Sequence, residues 1–253
     1  MKRFIFKMAT LLTFIWSLQA CSIFKMSTSS STAAHGHLAA THISLPHTWL
    51  PEDQIKWEAL KLPGKITTQY SLVKVKAQQT VMANAQSSAS MLRLDLNVPP
   101  ENFNRLAFAW QVQNLIEAAD MGQREHDDSP VRLVLAFAGD QRNFSPQNAM
   151  LSELTHAITG RPMPYATLMY VWCNKRSLNS VILNPRTDRI RKVVVESGKG
   201  RLDQWLTYER DIKADFEKAF GEAPGALIGI GLMTDTDNTR SNAKAWYGPI
   251  QLR

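Results

Sequence analysis

Cysteine is nearly absent: the 253 residues hold two, Cys21 and Cys173. The short motifs of common chemistries are missing as well. There is no G-x-S-x-G nucleophile turn, no H-E-x-x-H zinc helix and no glycine-rich phosphate loop. His126 and His156 stand isolated and read as structural rather than catalytic. Basic residues never run longer than a pair such as Arg191-Lys192. That argues against a nucleic-acid partner, because a phosphate backbone is met by clustered charge. Acids are missing from the first twenty residues, which pass from Lys2, Arg3 and Lys7 through an apolar stretch to LQAC at 18–21. A basic start, a short apolar region and a small residue before the cut describe a secretory signal, too short to span a bilayer with ease. Its removal takes three basic residues and no acid, lowering the net charge from +7 to about +4.

Leu18 three residues ahead of Cys21, with Ala20 between, resembles a bacterial lipobox. The resemblance implies diacylglycerol on the Cys21 thiol, cleavage before it and acylation of the new amino group. Two or three acyl chains anchor stably where one is marginal. Ser22 stands where an inner-membrane retention signal favours Asp, so the expected location is the outer membrane, with the domain facing the periplasm. The remaining thiol, Cys173, lies in the apolar run LMYVWCN. With no partner to make a disulfide and none nearby to lower its pKa, it reads as a small buried residue. The expected organisation is a signal peptide over 1–20, a lipidated flexible tether over 21–46 and a domain over 47–253. His35, His37, His42 and His47 fall in or beside the tether. Without an acid or thiol among them, they suit a solvated linker better than a metal site.

The domain reads with a period of two. Leu106, Phe108, Trp110 and Val112 alternate along RLAFAWQV, as do Val131, Leu133, Leu135 and Phe137, and then Leu168, Tyr170 and Trp172. Further strands are expected near 66–76, 80–85, 89–96, 180–184, 190–197, 203–210, 226–234 and 244–252. Many short strands with turn signals between them predict an all-β sandwich or barrel. Two segments have helical spacing: QNAMLSELTHAI, through Met150, Leu151, Leu154 and Ile158, and DIKADFEKAF, through Ile212, Phe216, Ala219 and Phe220, with Gly221 as a stop. Both are expected to lie over connections of the sandwich.

Three stretches together are specific: HDDSPVRLVLAF (126–137), YVWCN with NPRTDRIRKVVVESG (170–198), and RDIKADFEKAFGEAPGALIGIGLMTDTDNTRSNAKAWYGPI (210–250). They resemble the DUF3047 family, a domain of unknown function found in bacterial envelope proteins. The resemblance runs from about Trp57 onward. The family usually has an acid where this chain has Pro249, a residue that lacks a backbone donor and suits an edge or a bulge. The layout QWLTYERDIKADF, ALIGIGLMT and KAWYGPIQL is similar to the jelly-roll sandwiches of carbohydrate-binding modules, galactose-binding-domain-like, though a fold does not fix a function.

The polar run MTDTDNT, 233–239, connects the last two expected strands. Asp235, Asp237, Asn238 and Thr239 could bind a polar ligand, or Asp235 and Asp237 a calcium ion through hard oxygens. An EF-hand is excluded, since its sixth and twelfth positions would be Arg240 and Trp246. The plain alternative is a turn whose side chains bond their own backbone. Asp127 and Asp128 would point to opposite faces of a strand, which disfavours a glycosidase pair. One of them could pair with Arg132 or cap a loop, and either could join the 233–239 run. Trp110, Trp172 and Trp205 read as core, with Trp172 retained as a candidate neighbour of the site, while Trp246 or Tyr247 should face outward. In NPRTDR, Arg186 and Arg189 could form an anion fork, and a solvated turn is the alternative. Glu196 and Arg210, in apolar strands, should be paired. The leading reading is a non-enzymatic module for a glycan or other polar polymer of the envelope. The alternatives are a carboxylate-using polysaccharide hydrolase and a structural partner in an envelope complex.

Overall fold

The computed structural model describes residues 40–253 apart from His42. The expected signal peptide, Cys21, His35, His37 and His42 therefore lie outside the described residues. The elements in order are β1 (His47–Trp49), the helical turn α1 (Pro51–Gln54), β2 (Glu58–Lys61), β3 (Gln69–Val75), β4 (Gln78–Gln86), β5 (Ala89–Val98), β6 (Arg105–Val112) and β7 (Ser129–Phe137). There follow α2 (Pro146–Thr159), β8 (Ala166–Cys173), β9 (Val181–Leu183), β10 (Ile190–Ser197), β11 (Leu206–Asp211), α3 (Ile212–Phe220), β12 (Leu227–Asp235) and β13 (Asn242–Leu252).

They form two sheets. The front sheet runs β11-β6-β13-β4-β3, with β1 added on β13, and the back sheet runs β2-β5-β12-β7-β8-β10-β9. The inner strands pass from sheet to sheet in sequence: β4 front, β5 back, β6 front, β7 and β8 back, β11 front, β12 back, β13 front. This alternation is a jelly roll. All ladders are antiparallel except β8 with β10, which is parallel. The period-two residues account for the layering. Leu106, Phe108, Trp110 and Val112 from the front meet Val131, Leu133, Leu135, Phe137, Leu168, Tyr170 and Trp172 from the back in one buried cluster. Phe108 stacks on Tyr170 with ring centroids 5.5 Å apart. Each such side chain contributes about 1.5–3 kcal/mol on burial. Cys173 is buried and free. Pro249 falls in the interval where the register of β13 against β6 shifts, between Tyr247 and Ile250, so its missing N–H is accommodated by a bulge.

Both longer helices begin and end on caps. Ser145 accepts from Asn148 N and Asp211 from Ala214 N, while Gly160 and Gly221 close them at φ 73° and 74°. A left-handed C-terminal residue costs glycine little. α3 buries Ile212 and Phe216 as its spacing predicts. α2 does the reverse. Its sheet-facing side carries Asn148 and Ser152, whereas Met150, Leu154 and Ile158 are 69%, 55% and 54% exposed. The cause is a polar seat: Asn148 accepts from Thr187 Oγ1 at 2.7 Å and donates to Asp188 at 2.5 Å, and Ser152 Oγ accepts from Met163 N at 3.2 Å.

Candidate functional site

The MTDTDNT run ends β12 and turns into β13, and the segment before β7 packs beside it. Asp128 is 1% exposed and its carboxylate holds the turn. One oxygen accepts from Asn238 N and Nδ2, both at 3.2 Å; the other accepts from Thr239 N at 2.8 Å and Oγ1 at 2.5 Å. Asp127 faces the neighbouring cations. It accepts from Lys192 Nζ at 2.7 Å and from Arg132 Nη2 at 3.0 Å. Arg132 also reaches Asp235 Oδ2 at 3.1 Å, and Lys65 pairs with Asp237. The two adjacent acids thus both enter the cluster. The expectation that they diverge assumed a strand; the chain there leaves a 3-10 turn, Arg124–His126, and β7 begins only at Ser129. Seven of the eight candidate residues are therefore neighbours: Asp127, Asp128, Arg132, Asp235, Asp237, Asn238 and Thr239. Trp172 is not among them. It is 1% exposed in the core between the sheets, and its Nε1 donates to Gly198 O at 3.0 Å.

The charges answer one another. Burial alone would raise the Asp127 carboxyl, but the Arg132 and Lys192 charges outweigh it and hold the group below its ordinary value. Burial, then the Arg132 charge, pushes Lys192 down to about 8 against the pull of Asp127. Asp235 goes the other way: burial lifts it well above its usual range, opposed by Arg132 and reinforced by Asp237 and Asp128. Asp235 Oδ1 is buried without a hydrogen-bond partner among the described residues. Asp128, Asp235 and Asp237 each place an oxygen within 4.8 Å of the others, the one grouping of metal-ligand type among the described residues. Calcium would need free lone pairs there. Asp128 already accepts four hydrogen bonds, Arg132 occupies one oxygen of Asp235, and Lys65 holds Asp237. Most of this donor set is therefore already engaged by the protein's own cations and turn donors. Chemically, the cluster is an internal lock on the last turn.

A different surface lies on the outer face of the front sheet. A cleft of about 390 Å³ is lined by Lys76, Gln78, Thr80, Gln111, Asp203, Gln204 and Trp205, with Val75 at its edge. Trp205 is half-buried and precedes β11 instead of belonging to it, which corrects its assignment to the core. Its benzo ring rests on the sheet: a Cβ on Gly248 would lie 2.6 Å from Trp205 Cζ2, so glycine there admits the indole. Trp246 shares this outer face, opposite Gln111 on β6 and Met82 on β4. Tyr247 points inward, its hydroxyl donating to Met233 O at 2.7 Å. One of the two adjacent aromatics does face outward, but on the front sheet, away from the acid cluster. Period alone hides Trp205, because the alternation of β11 extends back through residues 203–205 in the sequence. The preceding GKGR at 198–201 marks that stretch as a loop. The remaining charged candidates are paired or solvated. Glu196 meets Arg201 and Tyr208, and Arg210 grips Asp215 with two hydrogen bonds of 2.8 and 2.6 Å. Arg189 binds Glu222 and Arg186 is exposed, so they form no fork.

The family described as Protein of unknown function (DUF3047) matches residues 55–251, and the chain belongs to it. No curated protein matches the sequence. Among solved structures, the chain is similar to a low-affinity xylan-binding module, CBM86, from Roseburia intestinalis, at 12% identity and TM-score 0.33, covering 83% of this chain and 96% of that one. It is similar to the xyloglucanase domain of NopAA, a type three effector from Sinorhizobium fredii, at 7% identity and TM-score 0.41, covering 83% and 99%. It is similar also to the cellulose induced protein Cip1, at 10% identity and TM-score 0.37, covering 79% and 92%. With TM-scores this low, the likenesses assign neither ligand nor activity to this chain, and the jelly roll rests on its own strand order.

Proposed function

We propose that this DUF3047 member is a non-enzymatic module that binds a polysaccharide of the cell envelope along the outer face of its front sheet. The observation that carries the reading is Trp205, an indole seated on the backbone of Gly248 and lining a cleft whose other walls offer three carboxamides, a hydroxyl and the charged ends of Lys76 and Asp203. A pyranose ring has apolar faces and a hydroxyl rim. An indole plane meets the first, and the carboxamides of Gln78, Gln111 and Gln204 offer donors and acceptors to the second. The acid cluster is assigned the structural task, since its carboxylates are bound by the turn and by Arg132, Lys192 and Lys65. That engagement also leaves Asp127 and Asp128 unsuited to act as a hydrolytic pair. We place the module on the inner face of the outer membrane, held by an acylated Cys21, on the support of LQAC and Ser22 in the sequence.

A glycan array probed with the full chain in detergent tests the binding claim. Retention on an envelope polysaccharide is expected, and retention on plant glycans alone would place the ligand outside the envelope. Trp205→Ala should weaken it about tenfold, the equivalent of ~1.4 kcal/mol; Trp205→Tyr should recover part of the loss, and Asp237→Asn should leave binding unchanged. Silence across both classes of glycan would sink the reading. The anchor has its own check: Cys21→Ser should move the protein out of the membrane fraction.

A further inference from the structure

The outward stripe of α2 has no partner within the described residues, and we infer that it lies on the lipid surface of the membrane that holds the chain. Met150, Leu154 and Ile158 recur every fourth residue and form one exposed apolar row. Leu183, 60% exposed, extends the row past the amino end of the helix, where it shares a hollow with Gln147 and Asn148. Beside the other end, a second hollow of about 210 Å³ opens on the back sheet. Met91, Met163, Met169 and Gly231 line it together with Thr155 and Thr159 of the helix. It contains no aromatic ring, unlike the Trp205 cleft; Arg93 and Arg161 also line it but are both paired with Asp95, and its open surface is mostly apolar, which suits acyl chains.

The route of the chain brings the membrane within reach of this side. Thr41 N donates to Asp95 O at 3.0 Å, and Asp95 pairs with Arg161, two residues after the end of α2, at 2.5 Å. The polypeptide therefore joins the domain beside the carboxyl end of the helix. From Cys21 to Thr41 is twenty residues, at most about 70 Å at full extension. A leash of that reach keeps the domain within contact of the bilayer, and the face with the unpartnered apolar row is the one an interface retains, since an amphipathic helix lies there with its apolar row among the acyl chains. The exposed guanidinium of Arg186, beside the amino end of α2, would meet anionic headgroups. The inference rests on the Cys21 anchor.

A single-cysteine probe tests it in the full lipidated protein. Cys173 is buried and Cys21 is acylated, so a polarity-sensitive fluorophore on Leu154→Cys labels one place. The exposure of Leu154 keeps the substitution harmless to the fold. The protein is placed on vesicles of phosphatidylethanolamine and phosphatidylglycerol carrying brominated acyl chains. Quenching at position 154 should exceed, by about twofold or more, that of the same probe on Leu72→Cys at the front-sheet edge. Equal, weak quenching at both positions on vesicles that float with the protein would overturn the inference and leave the anchor intact. Failure to float removes the anchor, and this inference with it. Disulfide-linked dimers formed by unlabelled Leu154→Cys, in vesicles and detergent alike, would assign the stripe to a second copy and overturn the lipid reading.

Discussion

Asp128 and Asp235 sit a few ångströms apart and carry opposite duties. Asp128 gathers two backbone amides, a carboxamide and a hydroxyl from Asn238 and Thr239. Asp128→Ala would leave those half-buried donors unmet, a loss of about 2–4 kcal/mol at 1–3 kcal/mol for each group that finds no water. A lowered urea midpoint measures it, and Asp128→Asn, which keeps one acceptor, should lose less. Asp235 is under tension instead. Burial raises its carboxyl, Arg132 opposes, and Asp237 and Asp128 add to the rise. The folded state therefore binds the proton more tightly than the unfolded chain. Stability from this group is complete below the unfolded pKa of about 4 and is lost as pH rises through the raised folded value. Asp235→Asn copies the protonated form. Its melting temperature relative to wild type should climb from pH 4 to pH 8, and a difference flat with pH would mean that Asp235 ionises normally. Asp120 has the contrary sign: its hydrogen bond from Arg176 lowers it to about 2, so its contribution holds above pH 4 and is lost toward pH 2.

Among the elements, the β3–β4 hairpin is the least comfortable. Its two-residue turn is Lys76-Ala77, at φ 48° and 69°, where a left-handed pair favours Asn-Gly. Asp203, across the cleft, also sits at φ 60°. Strained residues persist where surrounding structure over-determines them, often beside binding sites, and here they flank the Trp205 cleft. Ala77→Gly should stabilise the protein by about 1 kcal/mol, raising Tm by roughly 2–4 °C; no gain in a thermal melt would show that the turn carries no strain. Strands of this fold are legible in the sequence because each inner strand buries one face. RLAFAWQV and IRKVVVES coincide with β6 and β10. The three- and four-residue strands β1 and β2 are too short for a period to register. The stop of α3 at Gly221 is legible too, but the facing of α2 is not. Which side a helix buries depends on Thr187, Asp188 and Met163, and no local pattern announces those partners.

At the scale of the molecule, the two outer faces differ in kind. The front sheet presents tryptophan and amides, and the back sheet presents methionines, glycines and the apolar row of α2. A module held at the membrane by one side and open to a polymer on the other would use both. The sequence points to the acid cluster because charge and turn residues stand out in a linear text. Seven of the eight candidates do converge in space, yet they converge on one another. The cleft is not legible in the sequence because its residues come from β3, β4, β6 and the 203–205 loop, which only the jelly-roll closure brings together. The account is tested most directly by the indole N–H signals of the ¹⁵N-labelled protein during titration with a glycan retained on the array. Trp205 and Trp246 should shift together while the buried Trp49, Trp57, Trp110 and Trp172 hold still. Shifts confined to the backbone of Asp237, Asn238 and Thr239, with both outer indoles unmoved, would contradict it and return the site to the acid cluster.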